Sequence, residues 1–552
     1  MNKRLYIAIL SVLAVLLFPY SIATYNNMGE DAFISFRYVR NFVEGRGLVY
    51  NEGEWVEGYS NFSWVMLLLL AAVLGGDILL WSKLLAIAAN AGMILLMGWH
   101  LLERSPNVPG SSRKQMSPIG LFAPLAVFFN PQLHYHSGRG LETCFYAAVF
   151  LACVVAMGKK RFLAASLLFA LLALSRPEGI LHWGLFCVVF LMVECSRRRW
   201  SSRGAPGDGD ASCVRAFVSL TLPAGLIYGV FLLWRLWTYG QWFPNTVYAK
   251  TAAGNFWRNP SLGQVVEFVQ IWNGIPLLAA VALLWSWGRA ATWRATWIVA
   301  GALSVLIYIV SVGRVQAEPF RHFVPLIGPV ILLFQEALLA MDSPGRAAGR
   351  RLIPRRALWG LAALGLALNF YTPDNGDHPA SRLHVRTWRF LADRDWGARW
   401  EWFTHPPIHM FAEAGRWAEA NLPPGALLAA DQMGQLGYYA RSHPIIDLLG
   451  LMDRHIAHHG LSWEYISRRN PDYFIVYGER GEPYLPNVRA LLERDECRRR
   501  YRLLYILKSR YDEKIANQFL VYGRRSKTMD GQPPRTLAIG ATREEWERYW
   551  RF

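Results

Sequence analysis

Charge is what this sequence has least of. Asp, Glu, Lys and Arg make up 18% of its 552 residues, where a soluble protein carries about a quarter. Hydrophobic residues reach 53% and aromatics 14%, including 24 Trp, and that balance excludes a disordered, collagen-like or coiled-coil chain. Cysteine is scarce as well. Of six, Cys144, Cys153, Cys187 and Cys195 lie in apolar runs, Cys213 borders one and Cys497 stands alone, so no disulfide framework is built. There is no internal repeat and no glycine loop of the kind that cradles phosphate. The basic excess, a net charge of +18, suggests nucleic acid until its distribution is followed: it gathers at the ends of apolar runs. The length would suit three or four soluble domains at about 150 residues each. The composition describes instead a polytopic membrane protein with a soluble tail.

From Tyr371 onward no apolar stretch reaches spanning length, whereas the first 371 residues hold a long series. A crossing helix needs roughly 17 to 25 mostly apolar residues. The accepted stretches run approximately 5–24, 82–102, 117–135, 142–158, 162–176, 179–195, 214–237, 265–287, 295–313, 322–341 and 357–371. A further run, 62–74, is shorter and ends at Gly75-Gly76-Asp77. Basic residues near span ends favour the cytoplasmic side. They cluster at Lys3/Arg4, Arg104/Arg113/Lys114, Lys159/Lys160/Arg161, Arg197/Arg198/Arg199/Arg203, Arg289/Arg294 and Arg346/Arg350/Arg351/Arg355/Arg356. All can share one side only if a single crossing lies between residues 60 and 103. Span 82–102 is that crossing, and 62–74 becomes an interfacial or re-entrant helix. The expected fold is therefore a polytopic α-helical protein of about eleven transmembrane helices, with its N-terminus inside and its C-terminus outside. Met1-Asn2-Lys3-Arg4 before an apolar run imitates a signal peptide, but no small-residue cleavage site follows, and an uncleaved first span is expected.

Two domains follow: a transmembrane module, 1–371, and an extracytoplasmic α/β domain, 372–552. In the second, helix is expected at 409–421 and near 484–494, and strand at Leu427–Ala430, Pro444–Leu448, Tyr473–Tyr477, Tyr501–Leu507 and Gln518–Tyr522. The outer face also receives the loop 25–61, turns near 134–142 and 176–179, the loop 238–264 and the turn 313–321.

The loop 25–61 carries the most chemistry. Glu30 and Asp31 are adjacent acids at the start of an amphipathic helix just beyond the first span. Acids in a first helical turn complement the helix dipole and help to cap it; the functional reading is a carboxylate that takes the proton of an acceptor hydroxyl at the membrane surface. A second acid, Glu57, lies among aromatics in Val56-Glu57-Gly58-Tyr59-Ser60-Asn61, and the loop leads into 62–74, where a lipid-linked substrate could lie. Arg37, about 120° round the helix from Asp31, is expected in a stripe with Arg40, Asn41 and Glu44. Glu142 can cap a helix, and Arg176 and Glu178 flank Pro177 as an ion pair or anchor. Lys250 and Arg321 are cations on the outer face, against the topology rule, and a phosphate ligand explains the exception. His134-Tyr135-His136 is an interfacial cluster rather than a metal site, since residues two apart do not share a helix face. Asp431 and Asp447 sit at strand ends as turn formers.

An acidic pair in the first extracytoplasmic loop resembles the hallmark of the membrane-embedded C-type (GT-C) glycosyltransferases, which use polyprenyl-phosphate sugars. The run Glu30 to Trp64 is more closely similar to the family of the mycobacterial terminal β-(1→2) arabinofuranosyltransferase. Further segments fit in order: Gly140-Leu141-Glu142-Thr143, Ser175-Arg176-Pro177-Glu178-Gly179, Pro244-Asn245-Thr246-Val247-Tyr248-Ala249-Lys250 and Phe320-Arg321-His322-Phe323-Val324-Pro325. Ala430-Asp431-Gln432-Met433-Gly434 and Ile446-Asp447-Leu448-Leu449-Gly450-Leu451 follow in the tail. Glu30 departs from the usual Asp pair, which favours Asp31. The resemblance implies Asp31 and Glu30 as the catalytic acids. It implies Lys250, Arg321, His322 and Arg176 at the donor phosphate, and Glu57, Tyr59, Asn61, Glu142, Glu178, Asn245 and Tyr248 at the acceptor or sugar. It implies no metal centre, although a divalent cation at Glu30/Asp31 stays open because some related folds use one.

The expected function is transfer of a sugar, arabinofuranose by analogy, from a polyprenyl-phosphate donor to a cell-envelope glycan on the outer face of the bacterial cytoplasmic membrane. The expected partners are that donor, the glycan acceptor and the lipid bilayer, with no nucleic acid. The rival is a non-enzymatic membrane protein, a transporter or a flagellar or envelope regulator. A coupled transporter places ionisable residues near the bilayer midplane, and here only His182 and Glu336 come close. Inverted repeats with broken helices are not apparent either.

Overall fold

A computed structural model describes residues 1–24, 28–102, 117–201, 208–252, 263–290, 293–312, 320–342, 354–370, 396–404, 410–510, 517–527 and 533–540. The basic residues Arg104, Arg113, Lys114, Arg203, Arg346, Arg350 and Arg351 lie outside them, as do parts of the loop 238–264 and the turn 313–321. The chain divides into two compact units. One comprises 1–26, 82–231 and 259–395; the other comprises 27–81, 232–258 and 396–552. Residues 27–81 and 232–258 thus cluster with 396–552 rather than with the other helices.

The first unit is helical. Among the described residues, five helices of the whole chain are long and apolar enough to cross a membrane: Lys3–Ile22, Ile78–Leu102, Ser212–Tyr239, Trp293–Ser311 and Arg321–Asp342. The last of these is the core of the unit, with 89% of its apolar window buried against Ile275–Ala290, Thr143–Gly158 and Trp293–Val312. Ser212–Tyr239 is the opposite case, 17% buried, and its bare Leu222, Leu226 and Val230 call for hydrocarbon. Two expected spans are broken. In 117–135 the helix Phe122–Phe128 ends and Asn130 caps a new one, Pro131–Ser137, its side chain accepting from Leu133 N; Pro131 at the first helical position suits that start. In 265–287 the chain bends by 91° between Gly263–Gln270 and Ile275–Leu284, with Asn273 and Gly274 both at positive φ. His134 is held by Ser21 Oγ at 3.1 Å and the Phe128 carbonyl at 2.7 Å, a packing role inside the unit. Glu336 Oε1 lies within hydrogen-bond distance of His100 Nε2, at 3.2 Å, a partner the sequence reading missed.

In the second unit, seven strands form one sheet among the described residues: β1 (Leu428–Ala430), β2 (Ile445–Asp447), β3 (Tyr473–Glu479), β4 (Glu482–Pro483), β5 (Tyr501–Ser509), β6 (Asn517–Arg524) and β7 (Arg535–Ile539). The order is β2-β1-β3-β6-β5-β7, with β4 on β3. β1 runs parallel to β2 and β3, β6 is antiparallel to β3 and β5, and β5 is parallel to β7. All five expected strands are present within two residues at their ends, and the helices Met410–Asn421 and Pro486–Glu493 stand where helix was expected, residue 409 lying outside the described set. Phe474, Val476 and Leu520 of the sheet and Ile456, Trp463, Ile466 and Leu491 of the helices form the core. The short strands β4 and β7 and four helices of five to seven residues were missed, since so few residues carry little periodicity.

The loop 28–61 is built onto this domain. Helix Ala32–Val43 buries Phe33, Phe36 and Val39. Arg37, of the expected stripe, is buried too: its Nε donates to the Tyr50 carbonyl at 2.9 Å, Nη2 to that of His443 at 2.9 Å, and Nη1 to that of Gly437. Asn51 pairs with β2 as a strand would, donating to Ile445 O at 2.8 Å and accepting from Ile445 N at 3.0 Å. Helix Phe62–Val73 has 12 residues, about 18 Å, which falls short of a hydrocarbon core of roughly 30 Å. Its exposed Leu70 and Val73 suit the interfacial position expected of it.

Candidate active site

The two adjacent acids have different surroundings. Oε1 of Glu30 accepts from the backbone N–H of Gly434 at 2.6 Å and of Gln435 at 3.1 Å. Gly434 is required there, because a Cβ would run into the Glu30 carbonyl and carboxylate. Burial, and then the neighbouring Asp31 carboxylate, push the Glu30 carboxyl up to about 8 against the lowering effect of the two N–H groups. Asp31 is the residue before the helix, yet its side chain makes no capping hydrogen bond. The capping explanation of this acid is therefore not used, and its half-buried side chain stands beside the buried Glu30.

The rest of the loop is held by groups distant in sequence. Glu57 is fully buried and pairs with Arg235, Oε2 to Nε at 2.7 Å and Oε1 to Nη2 at 3.2 Å. Burial raises its carboxyl to about 7 even though Arg235 opposes the shift. Its carbonyl accepts from Asn245 N at 2.8 Å, and the Asn245 amide donates to the Gly450 and Leu451 carbonyls. The hydroxyls of Tyr59 and Tyr239 lie 3.1 Å apart, and Asn61 Oδ1 accepts from Ser35 Oγ at 3.2 Å. Tyr248 packs on the ring of His458 at 4.5 Å. Lys250 is half-buried in the last turn of Asn245–Ala252.

Two acids end parallel strands of the tail. Asp447 takes the N–H groups of Leu449 and Met452, both at 2.8 Å, as a turn former does. Asp431 instead accepts from Tyr477 N across the sheet at 2.9 Å, while its buried Oδ2 has no partner among the described residues. Burial raises both carboxyls to about 7.

The first unit gathers the other expected site residues into one charge cluster. Arg176 Nε lies 2.7 Å from Glu178 and 3.7 Å from Glu142, and its Nη2 donates to His322 Nδ1 at 2.7 Å. Arg321 pairs with Glu142. Glu142 precedes helix Thr143–Gly158 without capping it, because its carboxylate serves these two guanidiniums. Arg176 Nη1, Arg321 Nε and the Tyr146 hydroxyl are buried without a hydrogen-bond partner among the described residues, and buried donors of that kind are costly unless something accepts from them. Sequence reasoning missed Tyr146, and it missed Arg235, which sits in a spanning helix and is visible only as the counter-charge that a buried Glu57 demands. No group of three metal-ligating side chains occurs among the described residues.

Apolar helices followed by a C-terminal sheet domain are the fold this chain shares with C-type membrane glycosyltransferases. The structure of ArnT from Cupriavidus metallidurans bound to undecaprenyl phosphate matches 96% of this chain and 99% of its own, with a TM-score of 0.51 at 15% sequence identity. The sequence is similar to two curated enzymes named terminal β-(1→2)-arabinofuranosyltransferase. The one from Mycobacterium tuberculosis is 29% identical over 245 residues, 42% of this chain and 36% of that protein. The one from Corynebacterium glutamicum is 27% identical over 287 residues, 47% and 38%. The matched region thus spans little more than a third of the length of these relatives. Residues 400–528 match a family described as a domain of unknown function (DUF8728). The resemblance expected from the motifs is borne out, and the chain is a multi-pass membrane protein whose homologues are glycosyltransferases.

Proposed function

We propose that this chain transfers a sugar, arabinofuranose by analogy with the curated relatives, from a polyprenyl-phosphate carrier to a hydroxyl of a cell-envelope glycan. The proposal includes about eleven spans, the N-terminus inside, and the catalytic loop and tail on the outer face of the bacterial inner membrane. One observation carries it: of two adjacent acids, Glu30 is tied to two backbone N–H groups, whereas Asp31 makes no capping bond at the helix it opens. Asp31 is assigned as the general base. It takes the acceptor hydroxyl proton as that oxygen bonds to the anomeric carbon, and the bond from that carbon to the phosphate oxygen breaks. Glu30 is a positioning residue that fixes Asp31 against the tail.

A lipid phosphate is already a good leaving group, so the protein mainly has to neutralise it. The unpartnered guanidinium nitrogens of Arg176 and Arg321 support their assignment to that phosphate. Lys250 is assigned there by charge, and His322 through the nitrogen that does not face Arg176. Glu142 and Glu178 orient the two arginines, and Glu57, Tyr59, Asn61 and Asn245 hold the loop, their polar groups being engaged with the protein. Tyr248 keeps its role at the sugar. The test is transfer by purified full-length protein from synthetic polyprenyl-phosphoryl arabinose to envelope glycan fragments, beside linkage analysis of glycans from a deletion strain. Unchanged glycans together with no transfer from any polyprenyl-phosphoryl sugar would remove the proposal.

A further inference from the structure

Helix Arg454–His459 carries three histidines to which the transfer chemistry gives no role. Capped by Asp453, whose Oδ1 accepts from Ile456 N at 2.9 Å, it forms one wall of a cavity of about 440 Å³ in the second unit. The other polar side chains of that wall are engaged with the protein. Glu54 pairs with Arg469 at 2.6 Å, Asp453 Oδ2 accepts from the Tyr465 hydroxyl at 2.7 Å, and Arg454 donates to the Tyr239 carbonyl. His458 is taken as well: its Nε2 lies 3.0 Å from the Gln241 amide and its ring packs on Tyr248. His455 and His459 differ. Both line the cavity, His455 half-buried and His459 exposed, and neither imidazole has a hydrogen-bond partner among the described residues.

Residues four apart lie one above the other on a helix face, and the rings of His455 and His459 have centres 4.8 Å apart. An imidazole nitrogen binds a zinc ion at about 2.0–2.1 Å. That puts each ring centre roughly 3 Å from the ion, and two rings on adjacent coordination positions roughly 4.5–5 Å apart. The observed separation is that of a chelating pair. His455 is also fixed in rotation, because its face lies on Tyr465 with ring centres 4.1 Å apart and planes at 18°. Stacking covers the face of the ring and leaves the ligating lone pair, which lies in the ring plane, at the open edge. Imidazole suits zinc, copper and nickel, whereas magnesium and calcium take oxygen. Arg454 and Arg469 are matched by Glu54 and Asp453, so the wall holds no excess positive charge to repel a cation.

We propose that His455 and His459 form a two-histidine site for a late first-row divalent metal ion such as zinc. No group of three metal-ligating side chains occurs among the described residues, so the remaining coordination positions fall to water or to a small ligand from the cavity. The site uses no group assigned to sugar transfer, and it stands or falls independently of the transferase reading.

The experiment uses full-length protein without a histidine tag, in detergent micelles, stripped with chelator and titrated calorimetrically with zinc and nickel chloride. The copper(II) form is read by electron paramagnetic resonance. Zinc and nickel bind the wild type, copper displaces both, and an excess of magnesium displaces neither. The zinc Kd rises roughly tenfold or more in His455→Ala and in His459→Ala, each of which leaves one imidazole, and stays within about twofold in His458→Ala. The copper spectrum shows two coupled nitrogens in the wild type and one in either of the first two variants. His459→Ala, at an exposed position, carries the test if loss of the stacked His455 ring prevents folding. No zinc or nickel binding, or an unchanged Kd in folded His455→Ala and His459→Ala, overturns the proposal. Zinc binding that is lost in Asp31→Asn but kept in the histidine variants overturns it too, by moving the ion to the acid pair.

Discussion

Replacing Asp31 by Asn separates chemistry from structure, because the structure assigns this side chain no capping bond. Stability should change by no more than about 1 kcal/mol, since the substitution keeps the size of the side chain and removes a like charge beside the buried Glu30. Transfer should fall by roughly two to four orders of magnitude, the scale of a lost general base, or about 3–5 kcal/mol of barrier. Glu30 behaves oppositely. Glu30→Gln keeps an oxygen for the N–H groups of Gly434 and Gln435 and should cost no more than about tenfold in rate. Glu30→Ala orphans both N–H groups and should cost about 2–6 kcal/mol of stability. The pH dependence gives a second readout. Glu30 titrates near 4.5 when unfolded and about 8 when folded, so the unfolded chain loses this proton first. Stability therefore falls as pH rises through that window, and Glu30→Gln should remove this share of the slope. The assays are donor-dependent transfer and thermal melts of each variant between pH 5 and 9. Near-normal transfer by a folded Asp31→Asn protein refutes the assignment.

Arg235→Ala leaves the fully buried Glu57 without its counter-charge and should destabilise the protein by about 3–5 kcal/mol. Melts should show a larger loss at pH 8 than at pH 5, because the orphaned carboxyl must then ionise; equal losses would show that the pair is not the cause. Asp431→Asn retains the acceptor for Tyr477 N and removes a buried carboxyl that titrates at about 7 in place of 3.8. Wild-type stability should drop as pH rises across that range, and the variant should melt higher than wild type at pH 8. Neutralising Arg321 or Lys250 should weaken donor binding more than it lowers protein abundance, measured by donor titration; unchanged donor affinity in the double variant would return both to headgroup anchoring. A cytoplasm-only reporter fused after Phe552 should stay silent, and a signal from it would move the span count by one.

Much of this protein was legible along the chain. Low charge and long apolar runs specify a membrane module whatever the tertiary contacts are, because a bilayer selects on length and composition. Strands such as Tyr473–Glu479 and Asn517–Arg524 announced themselves as short apolar runs bounded by turn formers. The acid pair was visible because its position after the first span is a matter of order. Breaks inside apolar runs were not: Asn130 and Gly274 interrupt helices without interrupting hydrophobicity.

Tertiary structure alone decided what the charged residues do. Arg37 reads only as one residue of a polar helical stripe, yet three backbone carbonyls take its guanidinium, two of them about 400 positions away. Glu57 meets Arg235 across 178 positions, and Arg321 meets Glu142 across 179. A hydrophobic residue needs only to leave water, and periodicity records that demand locally. A buried charge needs one particular partner in one geometry, and that partner is fixed only when the chain closes on itself. The same closure brings Gly434 and Gln435 to Glu30 and leaves Asp31, one residue along, without a capping role.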